Sequence, residues 1–294
     1  MKWNQYPINK VTFVSQNYPS LLKKLKDPPK ELYYRGTWDN SLFKKSLAVV
    51  GSRRSTSYGE RVCDQLILGL VMEKVTIISG FMYGIDSLAH QKTLEFGGKT
   101  VAVLGGGLDI LYPPENEKLY LDIIASGGLI ISEYPADQQP QLWTFPQRNR
   151  IVAGLSSLGV LVIEAGEKSG SLITAELARK LKKPVFAVPG PITSSSSVGT
   201  NKLIKEGLAK MVLNSGDIVG PLTKRSLTSL PSSREGSRVG LEQKILSLLS
   251  AEPLTLDEIA RKLSINIIET SQALTMMAIK NTVEEKNGKY YPPN

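Results

Sequence analysis

Glycine and serine gather at five places in the chain, several of them with cations: GSRRS (51–55), SGFMYG (79–84), GGGLD (105–109), EAGEKSGS (164–171) and PGPITSSSSVGTN (189–201). Glycine lets a backbone approach a ligand closely, and a serine-capped helix start offers free N–H groups to an oxyanion. That chemistry suits phosphates. The cations are Arg53 and Arg54, Arg148 and Arg150 in FPQRNR, Lys168 in EKSGS, and Lys202 just after SSSSVGT. One long basic side chain is ordinarily a solvated one, but several at one edge of one sheet can converge on a polyanion. Phe145, Trp143 and Tyr83 add aromatic surface on which a base could stack.

Other chemistries fit less well. A Walker A loop would need a glycine where Thr93 stands ahead of Gly98-Lys99-Thr100, and a dinucleotide fingerprint starting at Gly105 would have Ile110 at its third glycine. Asp86, Asp109, Glu133 and Glu164 fall at or just past strand ends, where paired acids can do general acid–base work or else cap helices and pair with arginine. The single histidine, His90, lies within GIDSLAH and reads as a structural hydrogen-bonder. With one histidine and one cysteine (Cys63), the chain cannot build a Cys/His zinc site, a disulfide framework or an iron–sulfur cluster. No metal and no cofactor are expected.

The elements that would hold these residues are short, continuously apolar runs at 47–52, 75–80, 100–107, 128–133, 159–165 and 184–190, with a weaker one at 209–214. Such runs suit parallel strands covered on both faces. Between them lie stretches of helical length at 57–73, 85–96, 115–125, 171–183 and 201–206. The alternation predicts a doubly wound α/β core with a mostly parallel sheet, whose ligand crevice lies beyond the carboxyl ends of the strands. Residues 1–45 are too few for a domain and read as an extension packed on the core: a short strand, a helix and an edge strand at 31–36. The core is expected over 46–220. Residues 221–240 are rich in Ser, Pro and basic side chains and predict a linker. In 241–294, three helical stretches (241–250, 255–263, 266–279) precede a hairpin at 282–291 with Asn287-Gly288 at its turn, which is a winged-helix pattern.

The chain has 294 residues, 41% hydrophobic and 21% charged, enough to bury a large core. It has no apolar leader and no run near the roughly 18–20 apolar residues of a membrane span, so a cytoplasmic protein without membrane contact is expected. Net charge is +9. Nine basic residues against three acidic ones lie in 1–45, 17 against 16 in 46–220, and ten against eight in 221–294. The core is therefore nearly neutral, and the case for an anionic ligand rests on the placement of a few cations. On these residues alone, a nucleic-acid strand and a mononucleotide both remain open.

The ordered series GSRRSTSYG, SGFMYGIDSLAH, GKTVAVLGGGLDILYPPEN, GLIISEYP, FPQRNRIVAGLS, EAGEKSGSLITAELA, VPGPI and GTNKLI resembles the DNA-processing protein A (DprA/Smf) family, continuously over residues 1–215. The tail resembles the winged-helix domain that many members carry. Met82 and Tyr83 depart from the family pattern, which has a small residue and an arginine there. The resemblance implies an extended Rossmann-like core and a non-catalytic homodimer. It also implies a recombination mediator that binds and protects incoming single-stranded DNA and loads the RecA recombinase during natural transformation. It points to Arg53, Lys168 and Lys202 as DNA contacts, with Arg148 and Arg150 either joining them or bracing the pocket. The expected DNA-binding set is completed by Gly51, Ser52, Arg54, Phe145, Gly170, Ser171 and Asn201. Two rivals stand beside it. A LOG-type nucleotide phosphoribohydrolase would need a double glycine that EAGEKSGSLITAELA lacks, although Glu176 is present. A nucleotide-sensing winged-helix regulator would want basic residues in its recognition helix, and 266–279 has none.

Overall fold

The computed structural model describes residues 3–220 continuously and, beyond them, 241, 244–250, 252–263, 265, 270–271, 273–274, 277–278, 282–286 and 288–292. The expected linker at 221–240 and Asn287 of the expected turn lie outside the described residues, as does much of the expected helix 266–279. The chain divides into two compact units, Met1–Leu227 and Thr228–Asn294.

The apolar runs form strands β3 (Ser46–Val50), β4 (Thr76–Ser79), β5 (Thr100–Val103), β6 (Leu129–Ser132), β7 (Val160–Val162), β8 (Val185–Ala187) and β9 (Lys210–Met211). They pair in parallel in the order β6-β5-β4-β3-β7-β8-β9. The amino-terminal segment adds β1 (Asn9–Thr12) and β2 (Glu31–Gly36). β2 pairs antiparallel with both β1 and β6, so β1 is the edge and β2, expected at the edge, is internal. Its Leu32 and Arg35 are buried. The helix expected before β2 is one short 3-10 turn, Leu22–Lys24, closed off by the Pro28-Pro29 pair that follows.

Side chains alternate faces along each strand, so the sheet feeds two cores. Leu47, Val49, Ile77 and Leu161 pack beneath α1 (Ser57–Met72) and α2 (Ile85–Glu95), and Ala102 and Ile130 beneath α3 (Glu117–Ala125). Ala48, Val50, Ile78, Val103 and Val162 face α4 (Thr144–Leu155) and α5 (Gly170–Lys180) on the other side. Short helices α6 (Val198–Lys205) and α7 (Gly216–Val219) complete the unit. Helix α4 occupies FPQRNRIVAGL, a stretch whose pattern is blurred by Pro146 and Gly154 and by two arginines that it folds inward. The chain runs outward from β3 through β4, β5 and β6, then returns to place β7 on the other side of β3. The switch point therefore lies between β3 and β7.

In the second unit, β10 (Leu254–Thr255), α8 (Leu256–Leu263), β11 (Glu284–Lys286) and β12 (Lys289–Tyr291) surround a core that includes Ile245, Leu249, Ile259, Leu274 and Val283. β12 pairs antiparallel with both β10 and β11. Helix α8 opens with a reciprocal cap: Glu258 accepts from the Thr255 backbone N–H at 2.8 Å, and Thr255 Oγ1 accepts from the Glu258 N–H at 3.3 Å.

Candidate nucleic-acid interface

A cleft of about 580 Å³ opens at the switch point, walled by the loop after β3, the loop after β7 and the facing sides of α4 and α5. From α4 it takes Phe145, Arg148, Asn149 and Val152, the i, i+3, i+4, i+7 positions of one helix face. From α5 it takes Gly170, Ser171, Ile173 and Thr174. Helix α5 begins beside it behind a side-chain cap, Ser169 accepting from the Ser171 N–H at 3.4 Å, while the start of α1, where Thr56 accepts from the Gly59 N–H at 3.2 Å, faces the Glu164 carboxylate. The partial positive end of α5 favours an anion in the cleft.

The loop carrying Arg53 and Arg54 is pinned from three sides. Ser52 Oγ accepts from the Arg54 N–H at 3.1 Å and donates to the Arg54 carbonyl at 2.8 Å. The Ile85 N–H at the start of α2 donates to the Ser52 carbonyl at 3.1 Å. That approach needs Gly84, which sits at φ +73 with its α-carbon against the Ser52 and Arg53 backbone. On the far side, buried Glu164 at the end of β7 accepts from the Thr56 N–H at 3.0 Å and from its hydroxyl at 2.5 Å. Arg53 and Arg54 are left exposed at the mouth. The guanidinium carbon of Arg53 lies 5.4 Å from the centroid of the half-buried Phe145 ring. Gly105 supplies the seat for that ring, since a Cβ there would lie 2.8 Å from Phe145 Cδ1. A cation and an aromatic face thus stand together, with exposed Lys168 across the cleft.

Of the twelve residues expected at the site, nine line this cleft: Gly51, Ser52, Arg53, Arg54, Phe145, Arg148, Lys168, Gly170 and Ser171. Arg148 is in its floor, only 4% exposed, and donates to the Val103 carbonyl. It faces Asp86 beside Gly80. Burial pushes the Asp86 carboxyl above its usual range, with the Arg148 guanidinium pulling the other way. Arg150 is outside the cleft and largely buried, bound to Glu133 at 2.5 Å and near Asp27 at 3.7 Å. Asn201 is also outside, clamping the Gly190 backbone through two hydrogen bonds of 3.0 Å. Lys202 is exposed on α6 beside Glu206, at 4.0 Å. Asn149, Ser169 and Thr174 line the cleft without having been expected there; reading 144–155 as a helix would have put Asn149 on the face of Phe145 and Arg148.

The strand-end acids are all engaged. Asp109 pairs with Arg35 at 2.6 Å, Glu133 with Arg150, and Glu164 with Thr56, while Asp86 faces Arg148. His90 bridges Thr100 Oγ1 and the Gly80 carbonyl, both at 2.6 Å, and burial lowers its pKa to about 4. Burial raises the Cys63 thiol to about 12. Among the described residues no cluster of three metal-ligating side chains occurs, and no helix is long and apolar enough to cross a membrane.

Comparison with known proteins agrees with this architecture. The family model for DNA recombination-mediator protein A matches residues 9–223, and that for the DprA winged helix domain matches 231–289. DNA processing protein DprA of Streptococcus pneumoniae is 46% identical over 202 residues, 69% of this chain and 70% of that protein. Its Bacillus subtilis counterpart is 38% identical over 227 residues, 76% of this chain and 75% of that protein. An X-ray structure of the S. pneumoniae protein superposes with a TM-score of 0.68 at 40% identity, covering 76% of each chain. A structure of DNA processing protein A from Helicobacter pylori, described in terms of its single-stranded DNA binding mode, gives 0.65 at 34% identity, covering 74% of this chain and 96% of that one. With both family models matched in order along an α/β unit and a winged-helix unit, the chain belongs to the DNA recombination-mediator protein A family.

Proposed function

We propose that the switch-point cleft binds single-stranded DNA without catalysis, and that the protein, as a cytoplasmic homodimer, protects the strand and delivers it to the RecA recombinase during natural transformation. The observation that carries the reading is Arg53 over Phe145 at the mouth of the cleft. A single strand offers a phosphate to the one and an unstacked base to the other, whereas paired bases in a duplex have no free face to give. Arg54 and Lys168 extend the cationic side, and Gly51, Ser52, Gly170 and Ser171 let the backbone of the strand come close. Arg148, Arg150 and Asn201 serve the site as braces, each already bound to other groups of the protein. The reading without catalysis is supported by the strand-end acids, each bonded to another group of the protein: Asp109 to Arg35, Glu133 to Arg150 and Glu164 to Thr56.

Fluorescence anisotropy on one sample with single-stranded DNA, duplex and mononucleotide tests the proposal. Tight, salt-sensitive binding of the single strand, weak binding of duplex and no cleavage of AMP to free base are expected. Preference for duplex, or turnover of the nucleotide, would overturn it.

A further inference from the structure

The Phe145 ring is a wall with something on each side of it. The cleft lies on one side. On the other is a small hollow lined by Gly105, Gly106, Ile110, Tyr112, Pro140 and Phe145. Tyr112 meets the Phe145 ring at 5.9 Å between centroids, tilted by 46°, and remains 41% exposed. Tyr83, near enough to Tyr112 to act on it electrostatically, is 39% exposed. A buried aromatic would need no explanation, but an exposed ring against a half-buried one, with a second exposed ring in the neighbourhood, makes an open π surface.

Charge is not uniform around these rings. The cleft side carries Arg53, Arg54 and Lys168. Tyr83 donates to Glu115 at 2.7 Å, and that hydrogen bond holds the exposed Glu115 carboxyl below its usual range, so it is an anion at neutral pH. A phosphate would be repelled there, while a neutral base would meet an aromatic face. We infer that Tyr112, steadied by Phe145 and flanked by Tyr83, is a second stacking platform for the base of the nucleotide adjoining the one at Phe145. The bound strand would then cross the end of β5, and its backbone would stay on the cationic side. The inference rests on the reading of the cleft as a single-strand site and lengthens that site by one base.

Full-length protein and oligothymidylates graded in length test it. Tyr112→Leu is expected to weaken the longer oligonucleotides by roughly 5- to 100-fold, the range for losing one base–aromatic stack. It should leave the shortest bound oligonucleotide unchanged, and Tyr112→Phe should bind as the parent does. Equal binding by Tyr112→Leu at every length would overturn the platform, as would an equal loss at every length, which would mean that Tyr112 only supports Phe145. A readout needing no variant is 2-aminopurine placed singly along the strand: perturbed emission at two adjacent positions is expected, and perturbation at one alone refutes the inference. Arg53→Ala should weaken every length. If the parent protein binds no oligonucleotide at all, the cleft reading itself falls, and the platform with it.

Discussion

Glu164 is the residue whose replacement best separates a catalytic carboxylate from a structural one. It is 1% exposed, and both carboxylate oxygens are used, one by the Thr56 N–H at 3.0 Å and the other by the Thr56 hydroxyl at 2.5 Å. Hydrogen bonds to a charged group contribute about 1.5–3 kcal/mol each, so Glu164→Ala should cost roughly 3–5 kcal/mol. A domain of this size loses about 2–4 °C of Tm per kcal/mol, which gives a fall of about 6–20 °C. Glu164→Gln keeps the shape, an oxygen for the N–H and an amide for the hydroxyl, and loses mainly the charge; about 1–2 kcal/mol is expected. The assay is thermal unfolding of the full-length variants, followed by DNA anisotropy well below the lower Tm. Affinity should fall with the alanine variant, because Thr56 anchors the loop that presents Arg53. If both variants melt within a degree of the parent, or if glutamine is as costly as alanine, the pinning argument fails.

Three further outcomes follow from the same geometry. Arg53→Ala and Lys168→Ala should each flatten the slope of log affinity against log salt by about 0.7, the value per phosphate contact on a single strand, and Lys202→Ala, outside the cleft wall, by less. His90 is held neutral with a pKa of about 4, whereas the unfolded chain takes up the proton near pH 6.5. Stability present above pH 6.5 should therefore be lost as pH falls toward 4, by about 3 kcal/mol in all, and urea titrations at several pH values should show this slope vanish in His90→Gln. Gly105→Ala would set a methyl 2.8 Å from the Phe145 ring, so it should weaken single-strand binding with little change in Tm if the ring swings outward, as anisotropy and melting on the same variant would report.

Much of the molecule is legible in the order of its residues. Seven continuously apolar runs specify a parallel sheet because a strand covered on both faces has no polar face to display. Glycine and serine at the ends of those runs mark the edge at which the cleft opens, and Gly51, Arg53, Lys168 and Ser171 line it. The motif series is also sufficient for the family. Helix α4 was hidden because Arg148 and Arg150 break its apolar pattern, although both are drawn inward by partners remote in sequence, the Val103 carbonyl and Glu133.

Tertiary structure alone decided which cations stay free to meet a ligand. Arg53, in the loop after β3, and Arg150, in α4, are the same residue type, and residue type alone does not say which stays free. Arg150 is drawn in by its ion pair with Glu133, Nη2 to carboxylate at 2.5 Å, whereas the loop holding Arg53 is fastened through its backbone and leaves the side chain outside, over Phe145. The same holds for the acids. Types and spacing identify Asp109, Glu133 and Glu164 as candidates for chemistry, and only the fold, by bringing Arg35, Arg150 and Thr56 to them, gives them structural partners instead.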